Sequence, residues 1–200
     1  MSVSTIHNTS LHSQPYSLLI LAGGEGRRMS GQDKGLMPWH GKALVEHLIA
    51  TLPKSYQQCL ISCNRHLEDY RRYGETVTDG NLQYQGPLAG ILAGMDQANT
   101  DLLLVLPCDC PQPPPQLFSR LLKSMEKTDK TICYAWDGQR EQYLFALIKK
   151  SMRRSLQNYL DQGQRSVRHW YKQEAAIHVD FSDCHDSFKN FNTQKELLSK

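Results

Sequence analysis

Leu18-Leu-Ile-Leu-Ala-Gly-Gly-Glu-Gly-Arg-Arg-Met-Ser-Gly-Gln-Asp-Lys34-Gly35 decides the fold. Its first part, from Tyr16 to Ala22, is an apolar run one strand long. Such a run suits a parallel sheet covered on both faces. Gly23, Gly24 and Gly26 then allow backbone angles and close approaches that a Cβ forbids. Successive N–H groups in such a turn make an anion-binding concavity. Arg27, Arg28 and Lys34 add positive charge, so a phosphate chain is the simplest ligand. The spacing excludes a Walker A loop, which needs G-x-x-x-x-G-K-[ST]. It also breaks the dinucleotide fingerprint, because Met29 stands where the third glycine is required. That disfavours a nicotinamide-dependent dehydrogenase.

The rest of the chain alternates strand and helix. Ala43–Leu52 carries a helical apolar stripe and ends at Pro53. Gln57–Cys63 reads as a strand and His66–Tyr73 as a short helix with Gly74 as its C-cap. Glu75–Thr78 reads as a strand, and Pro87–Asn99 as a helix entered through Gly86-Pro87. Asp101–Pro107, with five consecutive aliphatics, predicts a central buried strand. Pro113–Pro115 is expected to open a helix running to Met125. This order predicts an α/β fold with a parallel sheet. Further on, Thr131–Trp136 and Gln142–Ile148 read as strands around Asp137-Gly138, a hairpin signal. Met152–Leu160 is a helix, Val167–Tyr171 a strand or short helix, and Ala175–Phe181 a strand. Residues 187–192 form a loop before a helix capped by Thr193 and Glu196. Residues 23–42 hold no periodic segment, and a loop that long is normally functional.

Two hundred residues suit one domain, spanning 16–200 after a loose polar tail at 1–15. The net charge of +3 demands neither nucleic acid nor a membrane, though it favours anionic small molecules. No apolar run reaches the ~18 residues of a membrane span, and the N-terminus lacks the layout of a signal peptide. The six cysteines form no C-x-x-C pair, which fits a reduced cytoplasmic setting.

In a doubly wound sheet, ligands bind beyond the carboxyl ends of the strands at the switch point. That rule puts the glycine loop beside Cys108-Asp109-Cys110. A carboxylate facing a polyphosphate loop suits Mg²⁺, which takes one or two carboxylates plus phosphate and water oxygens. Lys34 suits a phosphate oxygen, and Arg28 can clamp a phosphate bidentately. Asn64 and Asp79 end strands on the same edge. They can read base or sugar groups, or they can be Asx-turn residues. Arg165, Arg168, His169 and Lys172 read as a solvated face rather than an anion grip.

The loop L-A-G-G-E-G-R-R-M-S-G-Q-D-K-G-L is followed in order by S-C-N-R-H, T-D-G, G-P-L-A-G-I, P-C-D-C-P and F-K-N-F-N-T-Q-K-E-L. This series resembles the molybdenum cofactor guanylyltransferase family over residues 18–198. The resemblance implies a single Rossmann-like nucleotidyltransferase domain, its mostly parallel sheet holding an antiparallel strand, with helices on both faces. It implies GTP and molybdenum-bound molybdopterin as substrates, Mg²⁺ on Asp109, and transfer of GMP with release of pyrophosphate. Leu21, Ala22, Gly23, Gly24, Lys34, Asn64, Asp79 and Asp109 would bind GTP. Lys34, Asp109 and Arg28 would carry catalysis. Asn190 and Asn192 would lie near molybdopterin. A cytoplasmic monomer with transient contacts to other molybdenum cofactor proteins completes the expectation.

Gln142-Tyr143 departs from the family, which often has Pro at the second position. One rival is a cytidylyltransferase making a cytosine dinucleotide cofactor or an isoprenoid precursor; L-A-G-G and D-K-G-L argue against it. The other is a non-catalytic nucleotide-binding protein, and Asp109 argues against that.

Overall fold

The computed structural model describes residues 14–23, 33–80 and 86–191. The chain opens with β1 (Tyr16–Leu21), whose first five residues are buried. A 3-10 turn at Lys34–Leu36 follows, then the two-residue strands β2 (Pro38–Trp39) and β3 (Lys42–Ala43). His40 and Gly41 join them with φ of 46° and 80°, the left-handed pair that a tight hairpin requires. Next come α1 (Leu44–Thr51), β4 (Gln58–Ser62), α2 (Leu67–Tyr70), β5 (Glu75–Val77), α3 (Pro87–Gln97) and β6 (Leu102–Pro107). The second half holds α4 (Leu117–Thr128), β7 (Ile132–Trp136), β8 (Glu141–Lys149), α5 (Arg153–Asp161), α6 (Val167–Gln173) and β9 (Ile177–Asp180).

The main sheet has seven strands in the order β5-β4-β1-β6-β8-β7-β9. The pairs β5/β4, β4/β1 and β1/β6 are parallel. Strand β8 runs antiparallel to both β6 and β7, while β7 and β9 are parallel. The expected mostly parallel sheet with one antiparallel strand is therefore present. From β1 the chain moves outward to β4 and β5, then returns to place β6 on β1's other side. The switch point lies between β1 and β6.

The aliphatic runs are central because both faces are covered. In β1, Leu18 and Ile20 pack with Val45 and Leu48 of α1 and with Leu117 and Leu121 of α4. Leu19 packs on the opposite face with Ile91 and Met95 of α3. This is the period-2 alternation of a strand sandwiched between helices. Helix α4 buries Leu117, Phe118, Leu121 and Met125, each contributing about 1.5–3 kcal/mol. Helix α3 lies so close to the sheet that a Cβ on Gly94 would sit 2.5 Å from Leu19 Cδ2.

Several local expectations change. Gly74 is not a left-handed cap, since α2 ends at Arg71 in right-handed geometry. Its lack of a side chain serves close packing, because a Cβ there would lie 2.7 Å from the Cys59 carbonyl oxygen. Helix α4 begins at Leu117 with Gln116 before it, so the three prolines stop short of the helix they were expected to open. Residues 167–173 resolve the strand-or-helix ambiguity as helix, with the Ser166 side chain accepting the His169 N–H. Ser182–Phe188 forms 3-10 turns where a loop was expected to begin. The 1–15 tail up to residue 13 and the helix capped by Thr193 lie outside the described residues.

Candidate active site

The carboxyl ends of β5, β4, β1 and β6 make one rim, because parallel strands end on the same side. The residues just beyond them are Asp79, Asn64, Ala22-Gly23 and Asp109. The ladder continues into the rim. Ala22 N–H donates to the Ser62 carbonyl (2.8 Å), Cys108 N–H to Leu21 (3.1 Å) and Cys63 N–H to Val77 (2.9 Å). Three strand spacings separate Asp79 from Asp109, roughly 14 Å. That is a length suited to an extended nucleotide.

At the β6 end, Lys34 Nζ stands 3.3 Å from Asp109 Oδ2, with both side chains largely shielded from solvent. Asp109 Oδ1 is buried and has no hydrogen-bond partner among the described residues. A buried carboxylate oxygen left unsatisfied is costly and calls for a ligand. At the β5 end, Asn64 Oδ1 accepts the Asp79 backbone N–H (3.3 Å). Asn64's amide donors, not its oxygen, are therefore the part a ligand could engage. Asp79 Oδ1 is also buried without a partner. Among the described residues, the rim thus carries two unsatisfied acid oxygens, one at each end.

The turn that presents Lys34 is held from below. Asp33 Oδ1 accepts the Gly35 N–H (3.2 Å) and the hydroxyl hydrogen of Tyr70. Leu36 and Met37 N–H groups close the turn on the Asp33 and Lys34 carbonyls. Tyr70, from α2, is fully buried, and burial pushes its hydroxyl pKa far upward. Burial likewise raises the Asp33 carboxyl, against the lowering effect of its bonds to Tyr70 and Gly35 and of nearby His66 and Arg65. Neither Asp33 nor Tyr70 was singled out from sequence. The Asp-Lys-Gly order carries an N-cap signal, but nothing in the letters links Tyr70 to it.

The C-terminal segment reaches the same place. Phe191 N–H donates to the Asp109 carbonyl (2.9 Å), and the Phe191 ring packs against Trp39 with centroids 5.1 Å apart. Asn190 is exposed and adjacent to this anchor. Gly24, Arg28 and Asn192 lie outside the described residues, as do Gly26 and Arg27. Of the basic cluster, Arg168, His169 and Lys172 are exposed on α6, while Arg165 is half-buried and donates to the Leu160 carbonyl. A groove of about 530 Å³ runs along the open edge of β5 and reaches the rim only at Asp79 and Gly80. Asp109 and Lys34 do not line it.

Among the described residues, no three His, Cys, Asp or Glu side chains converge on a metal position. Among the described residues, Asp109 is the acid at the β6 end of the rim that offers an unpaired oxygen to a cation. The unsatisfied Oδ1 suits a hard cation that takes its other oxygens from phosphate and water.

Comparison with known proteins places the chain in a family. A profile of the MobA-like NTP transferase domain matches residues 18–177, a span from within β1 to the first residue of β9. The chain is 41% identical over 184 residues to the molybdenum cofactor guanylyltransferase of Shewanella sp. (strain ANA-3), covering 90% of this chain and 93% of that one. The Shewanella frigidimarina protein of the same name is also 41% identical over 184 residues, covering 90% and 94%. Among solved structures, the molybdopterin-guanine dinucleotide biosynthesis protein A of Archaeoglobus fulgidus shares the fold with a TM-score of 0.73 at 23% identity, covering 91% of this chain and 95% of that one. A nucleotidyl transferase from Methanothermobacter shares it with a TM-score of 0.71 at 16% identity, covering 92% and 94%. Matched to these relatives along nearly their whole length, the chain belongs to the molybdenum cofactor guanylyltransferases and is a nucleotidyltransferase.

Proposed function

We propose that this enzyme transfers GMP from GTP to molybdenum-bound molybdopterin. The terminal phosphate oxygen of molybdopterin forms a bond to the α-phosphorus of GTP. The bond from that phosphorus to the bridging oxygen breaks, and pyrophosphate leaves with the electron pair. The product is the guanine dinucleotide form of the cofactor. The observation that carries this reading is the pair of unsatisfied carboxylate oxygens, on Asp79 and Asp109, at the two ends of one strand rim.

A phosphate nucleophile is already ionised near neutral pH, its second pKa being ~6. The reaction therefore needs no general base, only positioning and charge neutralisation. Asp79, half-buried with its Oδ1 shielded from solvent, suits the N–H donors of guanine, and Asn64 suits an acceptor on base or ribose. Leu21, Ala22, Gly23 and Gly24 would supply the backbone wall beside the phosphates in this reading, with Arg28 adding charge; the Ala22 N–H itself is spent on the Ser62 carbonyl. Lys34 meets the charge that builds on the departing pyrophosphate. Asp109 would hold Mg²⁺, which when bound supplies Lewis-acid neutralisation of phosphate oxygens. Asn190 and Asn192 would serve the molybdopterin side, a role supported for Asn190 by the tie from Phe191 to Asp109.

A monomer in the cytoplasm, in transient contact with other molybdenum cofactor proteins, belongs to the same reading. The six free cysteines favour that compartment. The direct test offers GTP, CTP and ATP in turn to the purified enzyme with molybdopterin and follows pyrophosphate. Release with GTP is expected. Equal release with CTP would move the enzyme to the cytidylyl branch, and no release with any nucleotide would overturn the reading.

A further inference from the structure

Lys34 is one of the most flexible side-chain types, with four rotatable carbons and a compact charge. To meet a phosphate in a fixed place, its backbone must be held. The hold is visible. Asp33 precedes the Lys34–Leu36 turn in extended geometry, with φ −82° and ψ 118°, and its Oδ1 accepts the Gly35 N–H. The same oxygen takes the hydroxyl hydrogen of Tyr70, which comes from α2, 37 residues further along the chain. Gly35 lies flat against that hydroxyl and against Cys108. A Cβ at Gly35 would collide with Tyr70 Oη and come within 3.2 Å of Cys108 Cβ. Cys108 is the residue before Asp109. The turn is therefore clamped between a buried tyrosine and the side chain of the residue before the acid, and Lys34 leaves the clamp 3.3 Å from Asp109 Oδ2.

We propose that Asp33 is a positioning residue for the transfer reaction, which with Tyr70 fixes the turn so that Lys34 points at the phosphate site. This rests on the reading of Lys34 as the phosphate-binding lysine. Asp33 touches no reacting atom; it acts through Lys34. The two hydrogen bonds at its Oδ1 need only an acceptor, so an amide oxygen can replace the carboxylate.

The test is a thermodynamic cycle on pyrophosphate release with saturating GTP and molybdopterin. Asp33→Ala is expected to lower kcat about tenfold or more while KM for GTP changes less than about threefold. Asp33→Asn is expected to retain activity within about threefold, since its oxygen accepts both bonds. Tyr70→Phe, which removes one of the two, should fall between, at about threefold to tenfold. The deciding arm is Asp33→Ala in a Lys34→Ala background. If Asp33 acts through Lys34, the double variant loses no more than about twofold beyond Lys34→Ala alone. Additive losses would overturn the proposal, as would full activity of Asp33→Ala. Melting curves for each variant separate these outcomes from unfolding, and Asp33→Asn keeps the question open to test if Asp33→Ala does not fold. A wild-type enzyme that releases no pyrophosphate would sink the GTP reading instead, and the two failures are distinct.

Discussion

Lys34 and Asp109 are 75 residues apart in sequence, yet their side chains meet at 3.3 Å where β1 and β6 end side by side. The two charges offset each other. A polyphosphate and a cation would divide it, the lysine going to phosphate and the acid to metal. Removing either partner therefore does more than delete a contact.

Asp109→Ala is expected to lower pyrophosphate release by at least about 10²–10³, the range for loss of one electrostatic group at a reaction centre. Asp109→Asn should do nearly as badly, because a neutral amide is a poor Mg²⁺ ligand. Chelation with EDTA should silence the wild type, and added Mg²⁺ should restore it but neither variant. A steady-state assay across a Mg²⁺ titration checks all three. Full activity of Asp109→Ala at limiting Mg²⁺ would remove the acid from its role.

Base choice should depend on Asp79. Guanine presents N–H donors on the edge where adenine presents an acceptor, so a carboxylate with one shielded oxygen favours the first and repels the second. Asp79→Ala is expected to lower kcat/KM for GTP by tenfold or more and to change that for ATP little. The ratio of the two values, measured side by side, is the readout. An unchanged ratio would mean that another group reads the base.

The rim was legible in the sequence because its residues are consecutive with the strongest strand signals. The apolar runs at Tyr16–Ala22 and Asp101–Pro107 located β1 and β6, and the switch-point rule then put the loop beside Asp109. What holds the rim together was less legible. Tyr70 is a helix residue among other helix residues until folding brings it under Asp33. Phe191 reads as a loop residue, yet its backbone is tied to Asp109 and its ring to Trp39. Such contacts depend on three-dimensional neighbours that no local period encodes. Gly74 shows the same limit: the letter announced a special backbone need, and the cause was a neighbouring strand.

The packing of α3 on the sheet gives a stability prediction. Gly94→Ala gains up to about 1 kcal/mol of intrinsic helix preference. Its new methyl, however, would lie 2.5 and 2.8 Å from the two terminal carbons of Leu19, which is fully buried in a central strand. Overpacking of that kind costs about 1–3 kcal/mol, so the net effect should be destabilising. A fall of about 2–4 °C in Tm for each kcal/mol is expected at this chain length. An unchanged or raised Tm would mean that Leu19 can swing aside at no cost.

The acid limit of stability should be set in part by Asp137. It sits at the turn between β7 and β8, and only 3% of it is exposed. Burial alone would raise its carboxyl pKa. That is outweighed by hydrogen bonds from the Gln142 side chain (2.6 Å) and from the Arg140 and Gln139 backbone N–H groups (both 2.8 Å), together with the nearby His185. The carboxyl therefore ends below its ordinary value. A depressed folded-state pKa means that the native protein binds fewer protons than the unfolded chain. Its contribution is complete above about pH 4, the unfolded value, and is lost as pH falls through the lowered folded value. Asp33 runs the other way, because burial holds its carboxyl above the ordinary range and protonation relieves that cost. Asp137→Asn should be less stable than wild type at pH 7 by about 1–3 kcal/mol, from donors left without a charged acceptor. That gap should narrow as pH drops below 4. Urea midpoints for both proteins at pH 7, 4 and 3 measure it, and a gap that stays constant would show that the Asp137 charge contributes nothing to the fold.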